Sequence, residues 1–374
     1  MNRIYLDYNA STPIDPEVIK VMTPLLESNF GNPSTSHWAA KNAKEILNQA
    51  RSQVAALLSA KNDEIIFTSG GSESNNHAIK GVYYALRNKG KHIITSSIEH
   101  PAVKNPLRFL EGEGAKVTYL PVDSTGRVHP AQVEAAITKE TILISIMHSN
   151  NEVGTLQPIK EIAAIAKRND ILIHTDASQS IGKVPVSVKD LNVDLLTIAG
   201  HKLYAPKGFG ALFIRENTPI ETFIHGAGHE GGRRAGTENI FLAAGLGKAC
   251  ELAKKDAEEN KIEPLRNYFW KELSSHYGSN IVLNGEIGSI LPNTLNVSFK
   301  GYIGQDVLEQ IPEIAASTGA ACHSGKVQLS EVLEAMGVTK DMGKGTIRFS
   351  LGRYTTKEEI DQTLALLKDR IPKL

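Results

Sequence analysis

Cysteine is scarce: Cys250 and Cys322 are the only two in 374 residues. That excludes a disulfide framework and leaves no spacing for a four-ligand zinc site, so no metal is expected. Charge of one sign is not in excess either, since Lys+Arg and Asp+Glu both number 41. No run of basic residues forms a footprint for a nucleic-acid backbone or an anionic membrane surface, and direct binding to either is not expected. No stretch stays apolar for the roughly 18 residues that a membrane span needs. The opening Met1-Asn-Arg-Ile-Tyr-Leu-Asp lacks the apolar run of a signal peptide, and these absences together point to a cytoplasmic protein. Internal repeats and low-complexity segments are also missing. What remains is an ordinary globular composition, 41% hydrophobic, over a length that can bury a substantial core and divide into two domains.

Short β-rich runs alternate with helical stretches at Glu64 to Thr68, His92 to Ser96, Lys116 to Leu120, Thr141 to Met147, Ile171 to Asp176, Leu195 to Ala199 and Ala211 to Ile214. Such alternation predicts βαβ units and a mostly parallel α/β sheet covered on both faces. Thr141 to Met147 reads as buried on both sides. Only residues 200 to 210 separate the last two runs, too few for a helical crossover, which leaves an antiparallel pair open there. A charged helix over about 250 to 275 leads into a different texture. Strand candidates Thr294 to Phe299 and Thr346 to Leu351 and a closing helix from Lys357 to about Ile371 suggest a smaller α+β domain.

Ligands in open α/β sheets sit beyond the carboxyl ends of strands. Two of these strands end in chemistry: Ile171-Leu-Ile-His-Thr-Asp-Ala-Ser-Gln in Asp176, and the later one in Ala199-Gly-His-Lys, ending at Lys202. A lysine there can form a Schiff base, and an aspartate facing a pyridine nitrogen keeps that ring protonated as an electron sink. Taken singly, Asp176 reads more readily as a strand-end cap and Lys202 as a solvated lysine. A third element shifts the balance. Phe67-Thr-Ser-Gly-Gly-Ser-Glu-Ser-Asn-Asn follows a strand and opens a helix, where free N–H groups of Gly70, Gly71 and Ser72 can hold an anion. It is not a nucleotide P-loop, because no Gly-Lys-Ser/Thr follows.

Ala315-Ala-Ser-Thr-Gly-Ala-Ala-Cys-His-Ser-Gly surrounds Cys322 with small residues and reads as a mobile loop, with His323 placed to favour the thiolate. Free cysteines are more often buried small hydrophobes, a description that fits Cys250 in its helical pattern and fits Cys322 poorly. Arg348 lies in an apolar strand and needs an anionic partner, which a bidentate carboxylate supplies. Arg353, just past that strand, reads as a surface salt bridge.

Read in order, Asp7-Tyr-Asn-Ala-Ser-Thr-Pro, Gly31-Asn-Pro-Ser, Thr68-Ser-Gly-Gly-Ser-Glu-Ser-Asn-Asn, Glu99-His, Asn150-Asn-Glu-Val-Gly, Asp176-Ala-Ser-Gln, Gly200-His-Lys and Arg234-Ala-Gly-Thr resemble the motifs of cysteine desulfurases, in the class V aminotransferase group. The resemblance runs from Tyr5 to Gly352-Arg-Tyr-Thr-Thr, nearly the whole chain. It implies a fold-type I pyridoxal 5'-phosphate enzyme, with a large domain of seven-stranded sheet over 16–255. A small domain of 1–15 and 256–374 would carry the cysteine loop. It further implies that Lys202 holds the cofactor as a Schiff base, Asp176 pairs with the ring nitrogen, Gln179 bonds the ring hydroxyl and His100 stacks on the ring. A buried, hydrogen-bonded histidine or a helix-start residue is the alternative for His100. Gly71, Ser72 and His201 would bind phosphate, Asn151 would lie near the ring hydroxyl and substrate, and Arg348 with Asn32 would clamp the substrate carboxylate. Thr237 would reach the phosphate of a second copy in a homodimer, or else merely punctuate a turn. Ala199 departs from the pattern, since the family commonly has a phosphate-binding serine there.

The resemblance makes Cys322 the residue that takes sulfur from L-cysteine as a persulfide, leaving alanine, for delivery to an acceptor protein. Iron–sulfur assembly, tRNA thiolation, DNA phosphorothioation and selenium metabolism all stay open as destinations. The Gly319-Ala-Ala-Cys-His-Ser wording is similar to selenocysteine lyases and to more specialised desulfurases, which makes a selenocysteine lyase the alternative.

Overall fold

The computed structural model describes residues 3–323 and 326–373, and of residues 320–323 and 326–328 the backbone only. Its strands are β1 (Ile4–Tyr5), β2 (Ile65–Thr68), β3 (His92–Ser96), β4 (Lys116–Leu120), β5 (Thr141–Ser145), β6 (Leu172–Asp176), β7 (Leu195–Ala199), β8 (Gly210–Ile214), β9 (Ile281–Leu283), β10 (Thr294–Phe299), β11 (Ile314–Ala315), β12 (Ser317–Thr318), β13 (Ala320–His323), β14 (Lys326–Leu329) and β15 (Thr346–Ser350). Seven form the main sheet in the order β2-β8-β7-β6-β5-β3-β4. All neighbours pair in parallel except β8, which runs antiparallel to both β2 and β7. The short 200–209 connection therefore does reverse the chain, as its length requires.

The sheet is covered on both faces, which is why its central strands show no alternation of apolar and polar residues. Every position of β3, β5 and β7 is buried. One apolar cluster packs Ile144, Ile173, Leu196 and Phe213 against Val54, Leu58, Ile162 and Leu246. Another packs Ile93, Leu143, Leu195 and Leu212 against Ile79, Val82, Val103 and Leu107. A separate core gathers Phe269, Leu273, Leu295, Val297, Phe349, Ile360 and Leu364 around the antiparallel sheet β12-β15-β10-β9, and takes Ile4 and Leu6 from the start of the chain. The fold is α/β, with a mostly parallel central sheet and a smaller antiparallel one.

Two expectations are corrected. The charged stretch at 250–275 is not one helix but two, Ile240–Glu259 and Ile262–Tyr277. Asn260 breaks it in the left-handed region at φ 42°, a conformation asparagine tolerates better than most residues. Arg353 is not a surface salt bridge: its side chain is 16% exposed, paired with Asp15 and Asp256 and lying 4.2 Å over the Tyr204 ring. It links the segment after β15 to the N-cap of the helix Pro16–Ser28 and to the helix Ile240–Glu259. Among the described residues, no helix is long and apolar enough to cross a membrane.

Candidate active site

β2, β3, β5, β6 and β7 end on the same side of the sheet, and the segments that follow them surround a cavity of about 430 Å³. Gly71, Ser72, His100, Asn151, Asp176, Gln179, His201, Lys202 and Arg348 all line it. Residues as far apart as 71 and 348 thus meet at the place where open α/β sheets bind ligands.

Asp176 ends β6 with both carboxylate oxygens engaged: Ser178 N donates to Oδ1 (2.9 Å) and Asn75 Nδ2 to Oδ2 (2.7 Å). Asn75 sits on the helix Gly71–Leu86, so the element that opens the anion cradle also orients the acid. The helix starts tightly because Gly70 has φ +143°, which side chains rarely adopt, and a Cβ on Gly71 would lie 3.2 Å from Ala199 Cβ and 3.3 Å from Ser178 Oγ. Ser178 Oγ and Asn75 Oδ1 are buried polar atoms with no hydrogen-bond partner among the described residues.

His100 is the N-cap of the helix Pro101–Gly112, and its Nδ1 accepts from Ala102 N (3.1 Å). With Nδ1 accepting, the neutral ring carries its proton on Nε2. Burial lowers its pKa and keeps it neutral near pH 7. The adjacent Glu99 carboxyl is pushed up to about 8 by burial. It accepts from Ser96 Oγ (2.6 Å) and Met147 N (3.0 Å to Oε1), fixing the His100 turn to the end of β5. His201 is lowered to about 4 by burial and the nearby Lys202 charge.

Lys202 Nζ donates to the backbone oxygens of Asn9 and Ala10, both at 2.7 Å. Burial first, and then the Arg348 charge, lower it to about 8. An amine so placed is a far better nucleophile near neutrality than an ordinary lysine. Arg348 donates to Asp7 Oδ1 (2.6 Å), Ser317 Oγ (3.0 Å) and Asn151 O (2.8 Å), and its Nε is buried without a partner.

Residues 4–363 match the family described as aminotransferase class-V. The chain is 49% identical to the cysteine desulfurase IscS of Dictyoglomus turgidum, over 99% of this chain and 95% of that one. Its fold matches a solved NifS-like protein at TM-score 0.92 and 36% identity, over 98% of each chain. It also matches SspA in complex with cysteine at TM-score 0.84 and 39% identity, over 94% of this chain and 100% of the other. The chain belongs to the class-V aminotransferases, among their cysteine desulfurases. Enzymes of this family use pyridoxal phosphate, and the desulfurase's cavity fits that group. It pairs an acid at a strand end with a lysine, lies at an open helix start, and keeps unsatisfied polar atoms in Asn75 and Ser178. The hydroxyl missing at Ala199 has a neighbour in Ser178 Oγ, beside the same point near Gly71.

Two expected residues of the desulfurase do not line this cavity. Asn32 turns its own loop, its Oδ1 accepting from Ser34 N (2.9 Å). Thr237 lines a separate cavity of about 240 Å³ with Arg234 and Gly236. The side chains of Cys322 and His323 lie outside the described residues; their backbone forms the hairpin β13–β14. That hairpin leads directly into Ser330, which donates to Glu152 Oε2 (2.5 Å), and Glu331, which pairs with Lys104 on the His100 helix. Cys250 is fully buried, and burial raises its thiol to about 12, an inert state.

The sequence reading assigned no role to Asp7, Asn9, Asn75 or Lys183. Asn9 is the junction of the site. Its backbone oxygen accepts from Lys202 and Gln179 Nε2, its Oδ1 from Lys183 and Asn293, and its Nδ2 donates to Thr294 Oγ1 (2.9 Å). Its place in the Asp7-Tyr-Asn-Ala-Ser-Thr-Pro motif was the only signal available.

Proposed function

We propose that the protein binds pyridoxal 5'-phosphate in this cavity, takes sulfur from L-cysteine onto Cys322 as a persulfide, and releases alanine. The observation that carries this reading is the convergence of Lys202, Asp176 and His100 on one cavity with Arg348 on its wall. When bound, the cofactor supplies an electron sink that loosens the bond between the substrate's β-carbon and its sulfur. Lys202 would hold the cofactor covalently, and its amine would move the substrate's Cα proton. Asp176 would keep the ring nitrogen protonated, Gln179 would bond the ring oxygen, and neutral His100 would pack against the ring. Gly71, Ser72 and His201 would hold the phosphate, while Arg348, aided by Asn151, would take the substrate carboxylate in competition with Asp7.

An acceptor protein then receives the sulfur, and iron–sulfur cluster assembly is the use that similarity to an enzyme named IscS supports. The selenocysteine lyase alternative is not favoured by these relatives. With purified protein, L-cysteine and pyridoxal phosphate, alanine and a labelled protein persulfide are expected to appear together, and L-selenocysteine should not be strongly preferred. Pyruvate formed from alanine and a keto acid, without persulfide, would instead assign an aminotransferase.

The protein acts as a homodimer in this reading, with Thr237 serving the phosphate of the other copy. Its position beside a different cavity in its own chain supports that. Mixing Lys202→Ala with Thr237→Ala protomers should give hybrids that concentrate both defects in one site and leave the other intact. Activity at limiting cofactor should therefore recover above that of either parent. Hybrids no better than the weighted parents would place Thr237 in its own site.

A further inference from the structure

Lys183 has no part in the chemistry above and does not itself line the cavity, yet it lies four residues beyond Gln179 in the turn that follows β6, with its amine bonded to two residues that do. Its Nζ donates to Gln179 Oε1 (2.8 Å) and Asn9 Oδ1 (3.2 Å). Gln179 Nε2 in turn donates to the backbone oxygen of Asn9 (2.9 Å). A backbone carbonyl can only accept, so the amide edge facing Asn9 is the NH2 group and the edge facing Lys183 is the oxygen. One N–H of Gln179 is left free to donate, and Gln179 lines the cavity. A lysine is a costly group to enclose among uncharged amides, its two bonding partners here, and a role in fixing one of them accounts for its presence.

We propose that Lys183 is a positioning residue: it grips the Gln179 amide oxygen, which turns the amide N–H toward the ring oxygen of the bound cofactor and sets how tightly that cofactor holds its proton. The proposal rests on the reading of Gln179 as the partner of that ring oxygen. A donor at the ring oxygen withdraws negative charge from it. Loss of the donor strengthens the hold on the proton and moves the cofactor's titration upward. The charged groups facing this corner are Lys202 and Arg348, which together with burial depress Lys183 itself, and Asp176 and Asp7, which act on Lys202. All of them are retained in the variants below.

The test is a pH titration of the visible absorption band of the holoenzyme, with cofactor affinity measured on reconstituted apoenzyme. Gln179→Leu is expected to raise the midpoint by about one pH unit, the size of one neutral hydrogen bond, and to weaken cofactor binding about tenfold. Lys183→Met should do nearly the same. The double variant should be displaced no further than Gln179→Leu alone, because the two residues act through one bond. Lys183→Gln, which still donates to the amide oxygen, should stay near wild type, and it also guards against a Met variant that folds poorly. An unmoved midpoint in Lys183→Met, or displacements that add in the double variant, would overturn the proposal while leaving Gln179 in place. An unmoved midpoint in Gln179→Leu would overturn the ring-oxygen reading itself, and the proposal with it.

Discussion

Lys202→Ala is expected to purify without the visible absorption band of bound cofactor and to lose turnover of L-cysteine by about 10⁴-fold or more, since covalent attachment and proton transfer are lost together. The loss is large because no second amine can replace it. Lys183 is nearby, but it does not line the cavity, and its amine donates to Gln179 and Asn9 instead. The environment explains why Lys202 is suited to the task. With a pKa lowered to about 8, its free-base fraction rises through neutral pH instead of near pH 10. Two backbone oxygens, of Asn9 and Ala10, give the amine a resting place when it is not bonded to carbon. Near-normal alanine release by the variant would remove Lys202 from the mechanism.

Cys322→Ala is expected to separate the two halves of the reaction. Cofactor should bind as in the wild type, and L-cysteine should still change its spectrum, because the cavity residues are untouched. Persulfide should be absent, and alanine formation should fall by at least about 100-fold, since a positioned thiolate has an effective molarity of about 10⁵ M or more that a solution thiol cannot match. Alanine release from L-cysteine and L-selenocysteine, with persulfide labelling in parallel, is the measurement. A selenolate departs with less help, so appreciable alanine from selenocysteine alone would mark a selenocysteine enzyme. Undiminished alanine from L-cysteine would falsify the role of Cys322.

Much of this molecule was legible in its sequence because the relevant information is local. β3, β4, β7 and β10 have the bounds that their β-branched runs predict, and β6 and β7 deliver Asp176 and Lys202 at their ends because a parallel sheet places all such ends on one side. The Gly70-Gly71 start of a helix is likewise a local signal, written in the φ that only glycine readily adopts. β9 and β12, three and two residues long, gave no comparable periodicity.

Contacts between distant segments were not legible. Asn9 meets Lys202, Gln179 and Lys183, more than 160 residues away, and Asp7 reaches Arg348 across 341 positions. Each polar residue, read alone, is consistent with water as its partner. Arg353 shows the consequence: its polar neighbours in the chain read as surface, whereas Asp15, Asp256 and the Tyr204 ring enclose it. By itself the sequence determined the α/β alternation, the acid and lysine at adjacent strand ends, the open helix start for an anion, and a lone cysteine among small residues. Tertiary structure alone decided which groups share the cavity, how burial lowers Lys202, and that an N-terminal asparagine and a second lysine hold the site together. Periodicity and turn chemistry act over a few residues, while desolvation and hydrogen-bond partnership depend on which segments the completed sheet brings together.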